Sequence, residues 1–303
     1  MDKLLNLCVA IGLFLIAGCQ SIGEQQVGAP AVKQMSVNGA SLSYVEQGQG
    51  VPVVFVHGSN ADRRLWERQR ETFAKKYRFI AIDQRYFGTG TWPDNGTKFS
   101  QATFIDDLRA FIQELNAGQV HLVGWSFSGG ILLPLAVQHP ELVKSVFVYE
   151  PAIGTMLTDP SELKALGEDR KEMFGPAVAA VKAGDNAAAV RVFMDSVNAQ
   201  TGTFEALPLA TRTIMLDNAR MLPLLFAAPP PPSISCAQLG HIKAPVAIAR
   251  GELTRPYYKI MADAASRCIP GSKLIVVPNA RHLWPGQDAP AFNETVLDFL
   301  KSN

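Results

Sequence analysis

The residue that could carry chemistry most directly is a serine at the end of an apolar run. Residues 120–130 read Val-His-Leu-Val-Gly-Trp-Ser-Phe-Ser-Gly-Gly, which places Ser126 after a predicted buried strand (120–123) and before a predicted helix (131–138). The small residues around it let a strand and a helix approach closely through a sharp turn. Such a turn exposes the serine hydroxyl at the carboxyl edge of a sheet. Ser126 is therefore a candidate nucleophile.

A serine hydroxyl is a poor nucleophile near neutral pH and needs an imidazole to accept its proton. The chain has five histidines, and four of them stand in unsuitable places. These are His57 in the turn after a strand, His121 inside a strand, His139 at a helix end and His241 before a strand at the opposite sheet edge. His282 follows the predicted strand 273–277 at the same edge as Ser126. We therefore expect His282 to be the general base.

Strands and helices alternate along most of the chain. A hairpin is predicted where residues 33–37 and 41–46 flank Asn38-Gly39. The remaining strands are predicted at 51–56, 79–82, 120–123, 145–149, 246–249 and 273–277, and the helices at 62–76, 99–115, 131–138, 258–267 and 291–300. Between 152 and 232 only helical signals occur, ending in a run of four prolines. The alternation predicts a mostly parallel sheet interrupted by a helical insertion.

Further motifs occur in order on both sides of the Ser126 turn. They are His57-Gly58-Ser59 after an apolar run, Trp66, a loop with Asp83, Arg85, Gly88 and Gly90, and Pro278-Asn279-Ala280-Arg281-His282. From about residue 37 to 300 the chain resembles the α/β-hydrolase fold superfamily. The resemblance implies a doubly wound, mostly parallel sheet with a core at 31–151 and 233–303 and a helical cap at 152–232. It also implies an oxyanion hole formed by the backbone N–H groups of Ser59 and Phe127.

Three places depart from the usual family pattern. Ser128 replaces the second glycine of Gly-x-Ser-x-Gly, and Tyr86-Phe87 replaces a glycine–aromatic step in the loop after Asp83. Thr254 stands where most relatives carry the triad Asp. A threonine cannot stabilise an imidazolium by charge. Haloalkane dehalogenases, a branch of the same fold, place their acid after the preceding strand, where this chain has Glu150. We therefore predict that Glu150 completes the triad, with Glu252 and Asp263 as the alternatives.

A serine at the nucleophile position indicates an acyl-enzyme, whereas dehalogenases and epoxide hydrolases of this fold use an Asp. The substrate pocket is expected between sheet edge and cap, with His57, Trp125 and Met156 among its residues. The apolar cap side chains favour a small or medium carboxylic ester as substrate. One alternative is a carbon–carbon bond or enol-lactone hydrolase with the same triad. Another is a catalytically inactive binding protein, which is supported by the absence of an Asp at position 254.

Composition narrows the other possibilities. Hydrophobic residues make up 48% and charged residues 18% of the chain, which is enough apolar material for a large core. The net charge of +1 argues against a nucleic-acid partner. No cofactor or metal site is predicted, because the histidines are scattered and neither Cys-x-x-Cys nor a phosphate-binding glycine loop occurs. The oligomeric state stays open.

The N-terminus predicts export. An apolar run from residue 4 to 18 has the length of a signal-peptide core and closes on Leu-Ile-Ala-Gly-Cys. This ending resembles the lipobox of bacterial lipoproteins, which implies a signal peptide at 1–18, lipid on Cys19 and a tether at 19–30. The alternative is an ordinary cleaved signal peptide in which Cys19 carries no lipid. The protein is then expected in the periplasm or at the outer membrane of a Gram-negative-type bacterium, held by its lipid. In that oxidising compartment Cys236 and Cys268 could form a disulfide or remain free thiols.

Overall fold

The structure, a computed structural model, describes residues 30–303. The predicted signal peptide, Cys19 and nearly all of the predicted tether lie outside the described residues. In the described part eight strands form one sheet. The strands are β1 (Lys33–Val37), β2 (Ala40–Gln47), β3 (Pro52–Val56), β4 (Arg78–Ile82), β5 (Val120–Trp125), β6 (Val143–Tyr149), β7 (Val246–Gly251) and β8 (Lys273–Val277).

The sheet is mostly parallel, and its strand order is β1-β2-β4-β3-β5-β6-β7-β8. β1 and β2 form the predicted antiparallel hairpin, and Asn38 and Gly39 in its turn have φ values of 48° and 75°. Left-handed backbone at both positions matches the right-handed twist of the flanking strands. β2 also runs antiparallel to β4, and all other neighbouring pairs are parallel. The predicted sheet type is confirmed.

Helices flank the sheet in two groups. The helices are α1 (Glu67–Ala74), α2 (Gln101–Glu114), α3 (Gly129–Gln138), α4 (Pro160–Lys182), α5 (Asn186–Val197), α6 (Thr203–Ala206), α7 (Leu209–Asp217), α8 (Leu222–Ala227), α9 (Cys236–Leu239), α10 (Pro256–Cys268), α11 (Trp284–Gln287) and α12 (Ala289–Lys301). α12 contacts both α1 and α11, and α2, α3, α9 and α10 form the second contacting group. Within residues 30–303 no helix has both the length and the apolar character needed to cross a membrane.

The central strands are apolar because both of their faces are covered. Every residue of β3 and β5 is buried, and so is all of β6 except Lys144. Parallel strands covered by helices on both faces have this continuous apolar pattern. Aromatic rings fill the space beside β3, where Phe55 packs against Trp66 and Phe73 at centroid distances of 5.2 and 4.9 Å. This core fixes the carboxyl edge of the sheet, where the candidate residues lie.

Between β6 and β7 the regular elements are all helical: α4 to α8 lie in the expected cap, and α9 follows it. A buried ion pair joins this segment to the core: Arg255, just before α10, donates to Asp169 of α4 at 2.7 and 2.8 Å. At another point Asn218 donates to Asp62 at 2.7 Å and accepts from the Gly88 amide at 2.7 Å. Buried polar groups without partners are strongly destabilising, so these contacts hold the helices in one position over the sheet.

A disulfide joins Cys236, the first residue of α9, to Cys268, the last residue of α10, with Cα atoms 4.9 Å apart. Of the two possibilities left open by the sequence, the structure has the bonded form. The two cysteines are 32 residues apart. Closing a loop of that length lowers the conformational entropy of the unfolded chain and so stabilises the folded state by about 4 kcal/mol. The bond fastens the segment that returns from the helical insertion to the helix that follows β7.

His57 connects the loops that follow β3 and β4. Its Nδ1–H donates to the Gly58 carbonyl at 2.7 Å, and its Nε2 accepts from the Gln84 amide at 3.1 Å. The side chain has no exposed surface. Burial lowers the pKa of His57 to about 4, although the bond to Gly58 acts in the opposite direction. A protonated ring could not accept from Gln84, so the neutral imidazole is the form that this packing requires.

We expect acid to destabilise the protein through His57. Its pKa is about 4 in the folded chain and 6.5 ordinarily, so between these values the unfolded chain binds more protons. The free energy of unfolding then falls as the pH drops from about 6.5 to 4, by about 3 kcal/mol at most. Burial also lowers the pKa of His121 to about 4, so both side chains contribute in the same window. Urea unfolding at several pH values measures the slope.

The variant His57→Gln should reduce that slope to the part contributed by His121, since glutamine has no proton to gain. Its stability near neutral pH should be lower, because the two hydrogen bonds of the imidazole are altered. His139→Gln, at a partly exposed position, is the matched control and should keep the wild-type slope. A slope in His57→Gln equal to that of the wild type would contradict the assignment.

Candidate active site

The chain turns sharply between β5 and α3, and Ser126 is the first residue of a short 3-10 turn there (Ser126–Ser128). Its φ of 59° lies in the left-handed region, which a residue with a side chain rarely occupies. Such backbone persists only where the surrounding packing holds it. The predicted strand, sharp turn and helix around Ser126 are all present.

Ser128, the departure from the glycine pattern, takes part in this turn. Its hydroxyl accepts a hydrogen bond from the Trp125 amide at 2.8 Å and donates to the Val56 carbonyl at 2.9 Å. The side chain has no exposed surface. A serine in place of glycine therefore ties the end of β5 to the end of β3, and the hydroxyl has a partner for both its donor and its acceptor function.

A continuous chain of hydrogen bonds joins Ser126, His282 and Glu150. The Ser126 Oγ lies 3.0 Å from His282 Nε2, and His282 Nδ1 lies 2.6 Å from Glu150 Oε2. All three residues are buried, with exposures of 5%, 3% and 0%. The three side chains come from the ends of β5, β8 and β6, which meet because the parallel strands share one carboxyl edge. The structure thus brings together the three residues that the sequence singled out for a triad.

Glu150 occupies the position beside the imidazole and is held there by backbone. Its φ is 48°, its amide donates to the Ala249 carbonyl at 2.7 Å, and its Oε1 accepts from the Gly251 amide at 2.9 Å. One carboxylate oxygen therefore faces a backbone N–H and the other faces His282. A fully buried carboxylate needs such partners, because an unpaired buried charge is very unfavourable.

The alternative acids lie elsewhere. Glu252 is exposed and accepts from the Asn279 amide at 3.0 Å, and Asp263 pairs with Arg250 at 2.6 Å. Thr254, at the usual position of the family's Asp, has a buried hydroxyl with no hydrogen-bond partner among the described residues.

The loop that carries His282 is fixed on several sides. Trp125 Nε1 donates to the His282 carbonyl at 2.8 Å, and the Tyr149 hydroxyl donates to the Arg281 carbonyl at 2.7 Å. The Leu283 amide donates to the side-chain oxygen of Asn198, just after α5, at 3.2 Å. The backbone on either side of the histidine is therefore anchored to two core strands and to the helical insertion.

Sequence analysis missed one residue of this site, Tyr258 in the first turn of α10. Its ring is stacked on the His282 imidazole, with centroids 3.8 Å apart and planes 12° from parallel. Burial raises the pKa of the Tyr258 hydroxyl well above its ordinary value, and Tyr257 and Glu150 add to the rise. The phenol therefore stays neutral. Its only sequence signal is its place four residues after Thr254, in the turn where the family's acid would stand.

A small cavity of about 10 Å³ opens beside Ser126, enough for about one water molecule. Its lining includes Trp125, as predicted, together with Phe193 and Met194 of α5 and Met215 of α7. Neither His57 nor Met156 lines it, in contrast to the sequence expectation. His57 is engaged between two backbone loops, and Met156 is 3% exposed and packs within the hydrophobic core.

A larger cavity of about 250 Å³ lies next to the first and shares Trp125, Met215 and Leu283 with it. Neutral side chains from α6, α7 and the intervening segment form much of its wall, and Arg68 is its one charged residue. The Arg68 guanidinium donates to the Gly286 carbonyl at 2.5 Å. In the smaller cavity the only titratable side chain besides the serine is His282.

The two residues predicted to supply oxyanion donors lie beside the nucleophile. Ser59 lines the small cavity, and Phe127 directly follows Ser126 in the 3-10 turn. The backbone at Gly58 comes so close to the turn that an added Cβ would lie 3.2 Å from the Ser126 Cβ. Within residues 30–303 no group of three or more His, Cys, Asp or Glu side chains could hold a metal ion.

This arrangement can activate an alcohol. His282 Nε2 can take the proton of Ser126 Oγ, while the Glu150 carboxylate accepts from Nδ1–H and fixes the tautomer. The resulting imidazolium lies against a carboxylate in a buried site, where that contact is strong.

Comparisons with known proteins identify the family and the fold. A sequence model described as the alpha/beta hydrolase fold matches residues 51–284. The chain is 28% identical to a 2-(acetamidomethylene)succinate hydrolase of Mesorhizobium japonicum, over 82% of this chain and 88% of that protein. It is 32% identical to a 2-hydroxy-6-oxo-6-(2'-aminophenyl)hexa-2,4-dienoic acid hydrolase of Metapseudomonas resinovorans, over 42% of this chain and 44% of that protein.

Among solved structures, the carboxylesterase CesB of Bacillus subtilis superimposes with a TM-score of 0.71 at 19% identity, over 91% of this chain and 93% of that chain. At this identity the likeness concerns the fold alone. The family match covers most of the chain and includes the Ser126 turn and His282. The chain therefore belongs to the α/β-hydrolase fold family and is a hydrolase.

Proposed function

We propose that this hydrolase cleaves a neutral carboxylic ester through an acyl-enzyme on Ser126, with His282 as general base and Glu150 as triad acid. The observation that carries the proposal is the hydrogen-bonded chain of these three residues, which ends at a cavity whose lining has no Lys or Arg. A serine with an imidazole partner is the usual arrangement for acyl transfer.

Each group in the site then has a chemical role. Ser126 Oγ attacks the ester carbonyl while His282 Nε2 takes its proton, and negative charge develops on the carbonyl oxygen. The amides of Ser59 and Phe127 stabilise that charge. His282 returns the proton to the leaving alcohol, and a water molecule, activated by the same imidazole, hydrolyses the acyl-enzyme.

The charge of the lining favours an ester over the substrates named for the two relatives. A succinate and a dienoic acid carry carboxylates, and a buried carboxylate needs a cationic or N–H partner. The small cavity has no cationic side chain, and the guanidinium of Arg68 in the larger cavity already has a carbonyl partner. These observations support a substrate without a negative charge.

The size of the cavities bears on the same question. The space beside Ser126 is too small for an ester, so substrate binding requires a wall side chain to move. Met215 belongs to the wall shared by both cavities, and methionine is unbranched and adapts easily. Displacing it would join the space beside Ser126 to the 250 Å³ of the larger cavity. A cavity of roughly 150 Å³ already accepts benzene, so the joined space suits a small or medium apolar group.

A second candidate is hydrolysis of a carbon–carbon bond, with the same triad. It is favoured by the resemblance to the hydrolase of Metapseudomonas resinovorans, which is confined to less than half of each chain. Family membership and the joined triad weigh against the third sequence-based possibility, a binding protein without activity.

The two candidate reactions differ in substrate, and we expect the ester to be preferred. The protein without residues 1–29 should hydrolyse p-nitrophenyl acetate and butyrate, and kcat/KM for a 6-aryl-2-hydroxy-6-oxohexadienoate should be at least about a hundredfold lower, because its carboxylate finds no cation. Ser126→Ala should reduce ester turnover by at least about a thousandfold. Spectrophotometric rates measure both. A preference for the dienoate would overturn the ester proposal in favour of the second candidate.

The role of Glu150 is tested by removing its charge alone. Glu150→Gln keeps the shape but leaves the imidazolium without a carboxylate, and kcat for an ester should fall by about 10³- to 10⁴-fold, as for the equivalent change in other triads. Steady-state kinetics on p-nitrophenyl acetate measures the loss.

Glu252→Gln makes the same chemical change on the exposed carboxylate after β7 and should leave kcat within about twofold. Asp263→Asn is the second control. Turnover that survives Glu150→Gln but is lost in either control would show that the acid has been misassigned.

We further propose that the protein is exported and anchored by lipid on Cys19. The lipobox-like sequence supports this, and so does the Cys236–Cys268 disulfide, since such bonds persist in oxidising compartments.

We expect the full chain, expressed in a Gram-negative host with radioactive palmitate, to carry the label and to sediment with membranes. Cys19→Ser removes the only residue proposed for acylation and should abolish both properties. Cys8→Ser, in the apolar run, is the control and should keep them. An unlabelled wild-type protein would contradict the lipid anchor.

A further inference from the structure

Tyr258 has a position that core packing alone does not explain. Its ring lies parallel to the His282 imidazole at a centroid distance of 3.8 Å, and its side chain is 2% exposed. His282 already has both ring nitrogens engaged, with Ser126 and Glu150. The aromatic ring therefore covers a face of the base and leaves its two hydrogen bonds intact.

The surroundings hold Tyr258 in place from the side of the helical insertion. Arg255 precedes α10 and is paired with Asp169, and the Tyr257 amide donates to the same Asp169 carboxylate at 2.8 Å. The Arg255 guanidinium also donates to the Ser196 carbonyl at 2.5 Å. The start of α10 is thus fixed to α4 and α5, and so is the tyrosine one residue further on.

We propose that Tyr258 is a positioning residue for the general base: its ring keeps the His282 imidazole in the plane of its two hydrogen bonds and stabilises the imidazolium that forms when Ser126 gives up its proton. The inference rests on the proposed roles of Ser126 and His282. The face of an aromatic ring carries partial negative charge and attracts a cation within about 6 Å, most strongly where water is excluded. A neutral imidazole gains much less, so the contact is stronger in the transition state than in the resting enzyme, which is the condition for a rate effect.

The absence of a carboxylate at position 254 is consistent with the proposed role of Tyr258. In this chain the carboxylate reaches Nδ1 from Glu150 after β6, and the turn after β7 has an uncharged threonine instead. Other groups near the ring are the Ser126 hydroxyl, Trp125, whose ring lies 5.4 Å away at 40°, and Arg281, whose guanidinium faces backbone carbonyls. Glu150, the stacked Tyr258 ring and, at a longer distance and larger tilt, the Trp125 ring are the neighbours that favour a positive charge on the imidazole.

Three variants separate the ring, the hydroxyl and the packing. Tyr258→Phe keeps the stacked ring and should retain kcat within about threefold. Tyr258→Leu removes it and should lower kcat by about 3- to 30-fold with little change in KM, and should move the acid limb of the kcat–pH profile to lower pH, because the imidazolium loses stabilisation. Tyr257→Leu removes the neighbouring ring, which packs edge-on against Phe174 and Tyr258 rather than on His282, and should leave the profile unchanged. Equal profiles in both leucine variants would overturn the proposal.

A graded series covers the case in which Tyr258→Leu does not fold. Phenylalanine with one, two or three ring fluorines at position 258 weakens the negative face with little change in size, and log kcat should decline in step with fluorination. A flat series would show that the ring acts only by packing.

Failure of the proposed function is distinguishable from failure of this inference. If the wild type hydrolyses no ester, the function is wrong, and the stacking is then tested without turnover by NMR titration of the His282 ring in the wild type and in Tyr258→Phe and the fluorinated variants. If the pH at which the His282 ring is protonated falls with increasing fluorination, the inference is supported. If that pH is the same in all variants, the inference is wrong.

Discussion

The buried carboxylate of Glu150 is the group on which the site depends. A charge with no exposed surface is tolerated only when partners replace its lost hydration, and here they are the Gly251 amide and the His282 imidazole. The first partner comes from the end of β7 and the second from the loop after β8. Satisfying one side chain therefore fixes the relative positions of three neighbouring strand ends, β6, β7 and β8, at the edge where Ser126 also lies.

Backbone in unusual conformations occurs at the ends of β5 and β6. Ser126 and Glu150 both have positive φ values, and the Ala152 amide, just beyond Glu150, donates to the Ser126 carbonyl at 2.9 Å. Strained backbone persists when surrounding contacts over-determine it. The continuous apolar packing of β5 and β6 provides that support, because neither strand can shift without exposing a buried face. A rigid sheet thus holds a turn that would be unfavourable in isolation.

The helical insertion supports the geometry of the candidate site as well as covering it. Asn198 bonds to the loop of His282, and Asp169 holds the start of α10 and thereby the ring stacked on His282. Met194 and Met215 from the same insertion close the space beside Ser126. Movement of the insertion would therefore change the support of the His282 loop together with the room around Ser126.

Sequence alone was sufficient for the sheet, the nucleophile turn and the candidate base, because these depend on local patterns. Continuous apolar runs predicted the buried strands, Asn38-Gly39 predicted the hairpin, and small residues around Ser126 predicted the sharp turn. The choice of Glu150 over Glu252 and Asp263 followed from family resemblance, and the structure places Glu150 beside His282 while the other two pair elsewhere.

Tertiary structure decided what depends on contacts between distant segments. The disulfide required Cα atoms 32 residues apart in sequence to come within 4.9 Å, which no local pattern encodes. His57 and Met156 were expected in the pocket, but side-chain direction is set by neighbouring loops and core packing, and neither lines the cavity. The sequence did not single out Tyr258, because the pattern predicts that an aromatic residue in an amphipathic helix belongs to the hydrophobic core. Its contact with His282 exists only because the ends of β7 and β8 bring α10 and the histidine loop together.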